Sequence, residues 1–132
     1  EFRSHLVNND LIAATFTEMG YLYLSQDNWE DAAASINKAI DIAKSTRGLR
    51  YIDALISLGD LKMKQKLHEE AINPYEKALA LARDKKLKQK EYGILIKLCS
   101  SWRALDSDKY LFYLQKMHNA QINLGLECQI PC

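Results

Sequence analysis

The side chains in this sequence best suited to bind a metal ion or to attack a substrate are its histidines and cysteines. They are His5, His68, His118, Cys99, Cys128 and Cys132. The histidines lie on separate segments without a ligand at metal-binding spacing. The last two cysteines neither form a Cys-x2-Cys pair nor have a histidine nearby. The chain also lacks a glycine-rich phosphate loop, a nucleophile elbow and a HExxH motif. The sequence therefore predicts no catalytic residue, no metal site and no cofactor.

The cysteines favour a reducing compartment. Their number is odd, and their spacing does not suggest a disulfide framework. Cys99 falls on the apolar face of a predicted helix, where a cysteine is most simply a small core residue. A disulfide between Cys128 and Cys132 is the less favoured alternative. No secretory leader opens the chain, and no apolar run approaches the roughly 20 residues of a membrane span. We therefore predict a cytoplasmic location and no contact with a membrane.

The start of the chain suggests that it is part of a longer protein. It has no initiator methionine and begins with Glu1-Phe2, a dipeptide that a common cloning site encodes. Apolar residues make up 48% of the 132 residues, which is enough for one domain with its own core. We expect a single domain over residues 1–132 that is a fragment of a larger regulator.

Charge is spread unevenly along the chain. Residues 1–60 contain 5 basic and 9 acidic residues, whereas residues 61–132 contain 13 basic and 8 acidic residues. The densest basic run, residues 83–90, is most simply a solvated helix end and turn, because cations suit the negative end of a helix dipole. A nucleic-acid surface would need a wider basic face with interleaved aromatic residues. We predict no direct binding of nucleic acid.

Apolar residues recur with the 3.6-residue period of an α-helix along almost the whole chain. The pattern predicts six helices, over residues 9–25, 28–46, 50–65, 68–84, 88–104 and 107–124. The breaks between them are short, so successive helices must lie antiparallel to each other.

Particular residues are expected to start or end these helices. Asn9, Asp27 or Asn28, and the cluster at residues 106–108 can cap the free amides of a helix start. Gly48 is expected to adopt the left-handed conformation that ends a helix. Pro74 lies in the first turns of the fourth helix, where its missing amide costs least.

The sequence contains an internal repeat. A shift of 39 aligns Gly20 with Gly59, and it also aligns the small and large residues of the following helix. These pairs are Ala32 with Ala71, Ile36 with Tyr75, and Ala39 with Ala78. Glycine lets the first helix of a pair approach the second closely, and the large residue is expected to fill the space between neighbouring pairs. Because one pair alone cannot bury both of its faces, the helix pairs must stack.

This pattern resembles the tetratricopeptide repeat. The first copy of its motif consists of Phe16, Met19, Gly20, Tyr23, Ala32, Ile36 and Ala39. The second copy consists of Leu55, Leu58, Gly59, Ala71, Tyr75 and Ala78. A degenerate third copy has Leu95, Leu98, Cys99 and Trp102 on its first helix, and Leu111 where an alanine is expected. The resemblance implies an all-α, right-handed α-solenoid of three helix-turn-helix hairpins, residues 9–46, 50–85 and 88–124, followed by a tail over residues 125–132.

The period is longer than the roughly 34 residues of the commonest form of this repeat. Long-period copies resemble the repeats of bacterial peptide-pheromone receptors, namely the Rap phosphatases and the NprR- and PlcR-type transcription regulators. This second resemblance implies a domain that binds a short signalling peptide, with the output carried by a separate N-terminal part.

The resemblance also implies which residues contact a partner. In a tetratricopeptide stack the first helix of each hairpin lines a concave groove, and the positions next to the core face into it. The predicted contact residues are Thr17, Glu18, Tyr21, Leu24, Asp53, Ile56, Asp60, Met63, Lys97, Ser100 and Arg103. We expect Asp53 and Asp60 to hold a basic side chain or peptide amides, and Lys97 and Arg103 to hold a carboxylate.

Three hypotheses about function follow and stay open at this point. The first is the peptide-binding domain of a quorum-sensing transcription regulator. The second is a scaffold that joins subunits of a multiprotein complex, and the third is the repeat part of a response-regulator phosphatase. The oligomeric state also stays open, and a homodimer through an apolar repeat end with Leu111, Tyr113 and Leu124 is one candidate.

Overall fold

A computed structural model describes residues 2–125, with side chains from Asn8 onward. The described part of the chain consists of helices joined by short turns and contains no strand. The helices are α1 (Phe2–Ser25), α2 (Trp29–Ala43), α3 (Leu49–Lys64), α4 (His68–Asp84), α5 (Lys88–Arg103) and α6 (Ser107–Asn123). The predicted all-α fold with six helices is confirmed. No helix within residues 2–125 is long and apolar enough to cross a membrane.

The helices form three hairpins that stack in chain order. Helix α1 packs on α2, α3 on α4, and α5 on α6, while α2 contacts α3 and α4 contacts α5 across the hairpin boundaries. The first helices end at Ser25, Lys64 and Arg103, and the second helices begin at Trp29, His68 and Ser107. Both series are evenly spaced, by the same interval that separates Gly20 from Gly59, so the third hairpin keeps the period of the first two. The molecule is a helical repeat solenoid.

Two of the predicted helix caps form as expected. The side chain of Asn28 accepts a hydrogen bond from the backbone N–H of Asp31 at the start of α2. Asp106 accepts from the N–H groups of Asp108 and Lys109 at the start of α6. In both helices a side-chain oxygen satisfies amides that the first turn leaves free.

Two other expectations about helix ends are wrong. Asn9 does not begin a helix, because α1 already starts at Phe2. Gly48 is extended, with φ −95°, and directly precedes α3, whereas Arg47 has the positive φ of 50°. The chain leaves α2 at Ala43, and the left-handed residue of this turn falls one position before the glycine.

Each glycine of the repeat is a contact surface for the large residue on the partner helix. A Cβ atom at Gly20 would lie 2.6 Å from Ile36 Cγ1, and one at Gly59 would lie 2.6 Å from ring atoms of Tyr75. The large residue therefore packs on the glycine of its own hairpin. It also belongs to an apolar cluster with the next hairpin, since Ile36 clusters with Leu61 and Tyr75 with residues of α5. Both large residues are fully buried.

The third hairpin lacks this close approach. The helix bounds place Leu98 at the position equivalent to Gly59 and Tyr110 at the position equivalent to Ala71. The sequence alignment had placed Cys99 and Leu111 there, one residue later. Leu98 is fully buried, so a large side chain stands where the other hairpins have a glycine. Helix α6 has no buried residue, and it forms the loosely covered end of the stack.

Candidate functional site

The side of the stack formed by the first helices contains two adjoining recesses. The larger one, here called the Met63 recess, has a volume of about 420 Å³. It is lined by Tyr21, Leu24, Ser25, Asp60, Met63, Lys64 and Lys97. The smaller one, the Asp53 recess, has a volume of about 250 Å³. It is lined by Thr17, Glu18, Tyr21, Asp53, Ile56 and Lys90. Because Tyr21 lines both, they form one groove across α1, α3 and α5.

The groove brings together most of the residues that the sequence predicted to contact a partner. Nine of the eleven line one recess or both. The other two, Ser100 and Arg103, are exposed on α5 and line neither recess. The neighbouring Ser101 is buried instead, and its hydroxyl lies 3.1 Å from the sulfur of Met63. Helix α5 therefore turns Ser101, and not Ser100, toward α3.

Three lining residues are missing from the prediction, namely Ser25, Lys64 and Lys90. Lys90 precedes Lys97 by seven positions, a spacing that puts both on one helix face, and this signal was present in the sequence. Lys64 is the last residue of α3 and follows directly after Met63. Its equivalent one repeat earlier is Ser25, the last residue of α1, which lines the same recess.

Asp60 is the side chain of the groove that joins the three hairpins. Its Oδ2 accepts a hydrogen bond from the hydroxyl of Tyr21 at 2.7 Å. Its Oδ1 accepts from the hydroxyl of Tyr75 and, at 3.0 Å, from Nζ of Lys97. These donors come from α1, α4 and α5, so one carboxylate connects all three hairpins. Hydrogen bonds to an ionised acceptor are the stronger kind.

Asp53 forms a second connection in the neighbouring recess. Nζ of Lys90 lies 2.6 Å from its Oδ1, and a guanidinium nitrogen of Arg50 lies 3.9 Å from its Oδ2. Asp53 and Asp60 are thus already paired with lysines of α5. This finding corrects the expectation that the two carboxylates stand ready for basic groups of a partner.

Burial raises the pKa of the Tyr75 and Tyr21 phenols above their ordinary value, and the negative charge of Asp60 and its hydrogen bonds raise both further. An ionised phenolate beside Asp60 would place two negative charges together in a partly dry site. Both tyrosines therefore stay protonated and keep donating to the carboxylate. The hydrogen bond to Asp60 fixes the position of Tyr21 in the groove.

The groove has an apolar floor and charged rims of opposite sign. Leu24, Ile56 and Met63 contribute apolar surface. Exposed Glu18 lies in the Asp53 recess, and exposed Lys64 lies in the Met63 recess. An apolar cleft with a few placed polar groups is typical of a binding site.

Among the histidines and cysteines with described side chains, His68, Cys99 and His118 lie on three different helices. Within residues 8–125, whose side chains the structure describes, no three His, Cys, Asp or Glu side chains come together as metal ligands would. Cys99 is buried, as predicted for a core residue, and burial raises the pKa of its thiol. A thiol in that state is a poor nucleophile. Cys128 and Cys132, whose disulfide was the less favoured alternative, lie outside the described residues.

Comparison with known protein families agrees with the geometry of the stack. The family model for the tetratricopeptide repeat matches residues 11–84, which is more than half of the chain. The chain therefore belongs to the tetratricopeptide repeat family. Repeats of this family generally mediate protein–protein interactions and are typically non-catalytic. No curated protein matches the chain closely enough to count as a relative.

Proposed function

We propose that the groove formed by the Met63 and Asp53 recesses binds an extended segment of a protein partner, without catalysis. The observation that carries the proposal is the continuity of the two recesses across three hairpins, with apolar floor and charged rims in one surface. A folded partner would need a broad flat face, whereas a narrow groove of this kind fits a single strand of peptide.

The hydrogen bonds of Asp60 support a groove that is already formed before a partner arrives. Tyr21 and Lys97, which line the Met63 recess, are both held by this carboxylate. Side chains that are fixed beforehand lose little freedom on binding, so more of the contact energy appears as affinity. The groove walls consist of helices, which hold such positions better than loops do.

The charges on the rim favour one direction for the bound peptide. Glu18 lies in the Asp53 recess, where Asp53 is paired with Lys90, and Lys64 lies in the Met63 recess, where Lys97 is paired with Asp60. A basic side chain or the amino end of a peptide suits the Asp53 recess, and an acidic side chain or the carboxyl end suits the Met63 recess. Lys97 shares its charge with Asp60, so the exposed Lys64 has more charge to offer a partner.

For the identity of the partner we propose a short signalling peptide, and for the whole protein a quorum-sensing transcription regulator in bacteria. The support is the long repeat period, which all three hairpins keep. A scaffold of a multiprotein complex and the repeat part of a response-regulator phosphatase are the alternatives. The reading frame upstream of residue 1 separates them, since a helix-turn-helix there favours the regulator and a three-helix bundle favours the phosphatase.

A peptide array probed with matched charge-reversal variants tests the groove. Lys64→Glu changes the rim of the Met63 recess, and Lys85→Glu makes the same change in the exposed basic turn outside both recesses. We expect Lys64→Glu to lose the bound peptides or to shift the selection toward basic ones. Lys85→Glu should select the same peptides as the unchanged chain. Loss of the peptides with Lys85→Glu alone would overturn the proposal.

A further inference from the structure

A third recess adjoins the groove at the start of α3. It has a volume of about 530 Å³ and is here called the Leu49 recess. Its lining includes the leucines Leu49, Leu87 and Leu124 and the lysines Lys86, Lys88 and Lys90. Lys90 also lines the Asp53 recess, so the Leu49 recess continues the groove beyond the part described above.

Helix α3 runs along all three recesses with one of its faces. Five of its lining residues, at intervals of four, three, four and three, are Leu49, Asp53, Ile56, Asp60 and Met63. This alternation is the spacing of neighbours on one face of a helix. The stretch from Leu49 to Met63 is about 21 Å long at the helical rise, and an extended peptide covers that length with about seven residues.

The Leu49 recess has positive charge that the fold leaves free. Its charged lining residues are all lysines. Lys90 is paired with Asp53 at 2.6 Å. Lys86 and Lys88 are exposed, and neither forms an ion pair with an acidic side chain within residues 8–125. An acidic group of a partner therefore complements this end of the groove.

The same recess also has apolar surface. Leu49 is 44% exposed, and Leu87 and Leu124 are half-buried. A large apolar side chain of a partner would cover the leucines, and a carboxylate beside it would reach a lysine. The combination of leucines with lysines therefore selects an apolar residue that has an acidic neighbour.

We propose that the partner segment is about seven residues long and ends in the Leu49 recess with a large apolar residue beside an aspartate or a glutamate. This inference rests on the proposed function and names the chemistry of the segment that the groove binds. A basic side chain near Glu18, rather than the amino end, then lies in the Asp53 recess, because the segment continues past it. The other end of the segment lies in the Met63 recess.

Fluorescence anisotropy with peptides selected on the array tests the charge of the Leu49 recess. Lys88→Glu reverses a lysine of this recess, and Lys85→Glu makes the same change at an exposed lysine that lines none of the three recesses. We expect Lys88→Glu to weaken binding at least about fivefold, because it replaces an attraction with a repulsion. Lys85→Glu should bind like the unchanged chain. Equal affinities of Lys88→Glu and the unchanged chain would overturn the proposal.

A second pair of variants tests the apolar surface. Leu49→Glu puts a charge on it and should weaken binding at least about tenfold. Leu49 is the first residue of α3, where an acidic side chain suits the positive end of the helix dipole, so the variant should fold. The control is Leu105→Glu, at a leucine that is 42% exposed and lines none of the three recesses. Circular dichroism checks that all variants remain helical.

Rescue by a changed peptide gives the decisive result. A peptide in which lysine replaces the acidic residue at this end should bind Lys88→Glu more tightly than it binds the unchanged chain. A recess that serves a nucleic acid or a lipid surface instead predicts that this replacement changes neither affinity. That outcome would contradict the proposed chemistry of the segment.

Lys64→Glu, at the opposite end of the groove, separates this inference from the proposed function. If Lys64→Glu weakens peptide binding and the variants Lys88→Glu and Leu49→Glu do not, the groove stands and the longer segment is wrong. If none of the three variants weakens binding, the groove is not the binding surface and both proposals fail.

Discussion

The hydroxyl of Tyr75 donates a hydrogen bond to Asp60, although the ring of Tyr75 is fully buried and Asp60 lines the groove. The ring packs on Gly59, the residue next to Asp60 in the chain. One side chain thus joins the core of the middle hairpin to its candidate binding surface. Because Tyr21 and Lys97 also donate to Asp60, the packing of the repeat and the shape of the groove depend on each other.

Loss of the Asp60 carboxylate should destabilise the fold more than loss of the Asp53 carboxylate. Asp60→Ala leaves the hydroxyl of the buried Tyr75 without its acceptor, which costs about 1–3 kcal/mol. Asp53→Ala removes only partly exposed ion pairs, worth about 0.2–1 kcal/mol. Urea unfolding of the two variants measures the difference. Equal losses would show that Asp60 does not connect the hairpins.

Two glycine substitutions should change stability in opposite directions. Gly59→Ala places a Cβ atom 2.6 Å from ring atoms of Tyr75 and should lower the free energy of unfolding by about 1–3 kcal/mol. Gly93→Ala, inside α5, meets no atom within 4 Å and should raise it by about 0.5–1 kcal/mol, because alanine favours a helix. Chemical denaturation of both variants checks the pair. A stabilised Gly59→Ala variant would contradict the close packing.

Alkaline pH should weaken the fold through the buried phenol of Tyr75. Its pKa is raised in the folded chain and is about 10 in the unfolded chain, so above about pH 10 the unfolded state releases the proton first. Below about pH 10 the fold therefore keeps all the stability that the protonated Tyr75 phenol contributes. It loses this stability as the pH rises toward the folded-state pKa of Tyr75. In the Tyr75→Phe variant the free energy of unfolding should fall less steeply with pH than in the unchanged chain. The two slopes should differ by up to about 1.4 kcal/mol per pH unit.

The pH experiment compares the two chains from neutral pH to the alkaline limit of folding. Tyr113, whose pKa burial raises to about 12, and the lysines are present in both chains and cancel in the difference. Parallel curves for the two chains would mean that the Tyr75 phenol ionises as easily in the folded state as in the unfolded one.

The ion pair of Lys90 with Asp53 should contribute little and should depend on salt. The two side chains are 40% and 25% exposed, so solvent screens their attraction. A double-mutant cycle with Lys90→Met and Asp53→Asn should give a coupling energy of about 0.2–1 kcal/mol that shrinks at high salt. A larger coupling that salt does not change would indicate a pair shielded from water.

The repeat motif predicted the stack because its signals are local. Gly20 and Gly59 recur with alanines at fixed distances, and these small residues determine how closely two neighbouring helices approach. The third hairpin is harder to align because Leu98 stands where a glycine would mark the register. The register predicted for it is one residue too late. Lys97, Ser100 and Arg103 were all chosen on that register, and of these three only Lys97 lines the groove.

The ion pairs of the groove could not be predicted from the repeat. Asp60 and Lys97 lie 37 residues apart, so the pair does not follow the repeat period. Whether they meet depends on how far α5 is rotated relative to α3, which the motif does not encode. The repeat pattern therefore indicated residues of α1 and α3, and Lys97 of α5, that line the groove, but not the ion pairs among them.

Site-specific photo-crosslinking tests the central claim that the groove is the binding surface. A photoreactive amino acid is placed at Glu18 or Lys64 on the groove rim, and at Lys85 as an exposed position outside both recesses. Each chain is irradiated with a peptide selected on the array. We expect crosslinks from Glu18 and Lys64 and none from Lys85. Crosslinks from Lys85 without any from the two groove positions would contradict the claim.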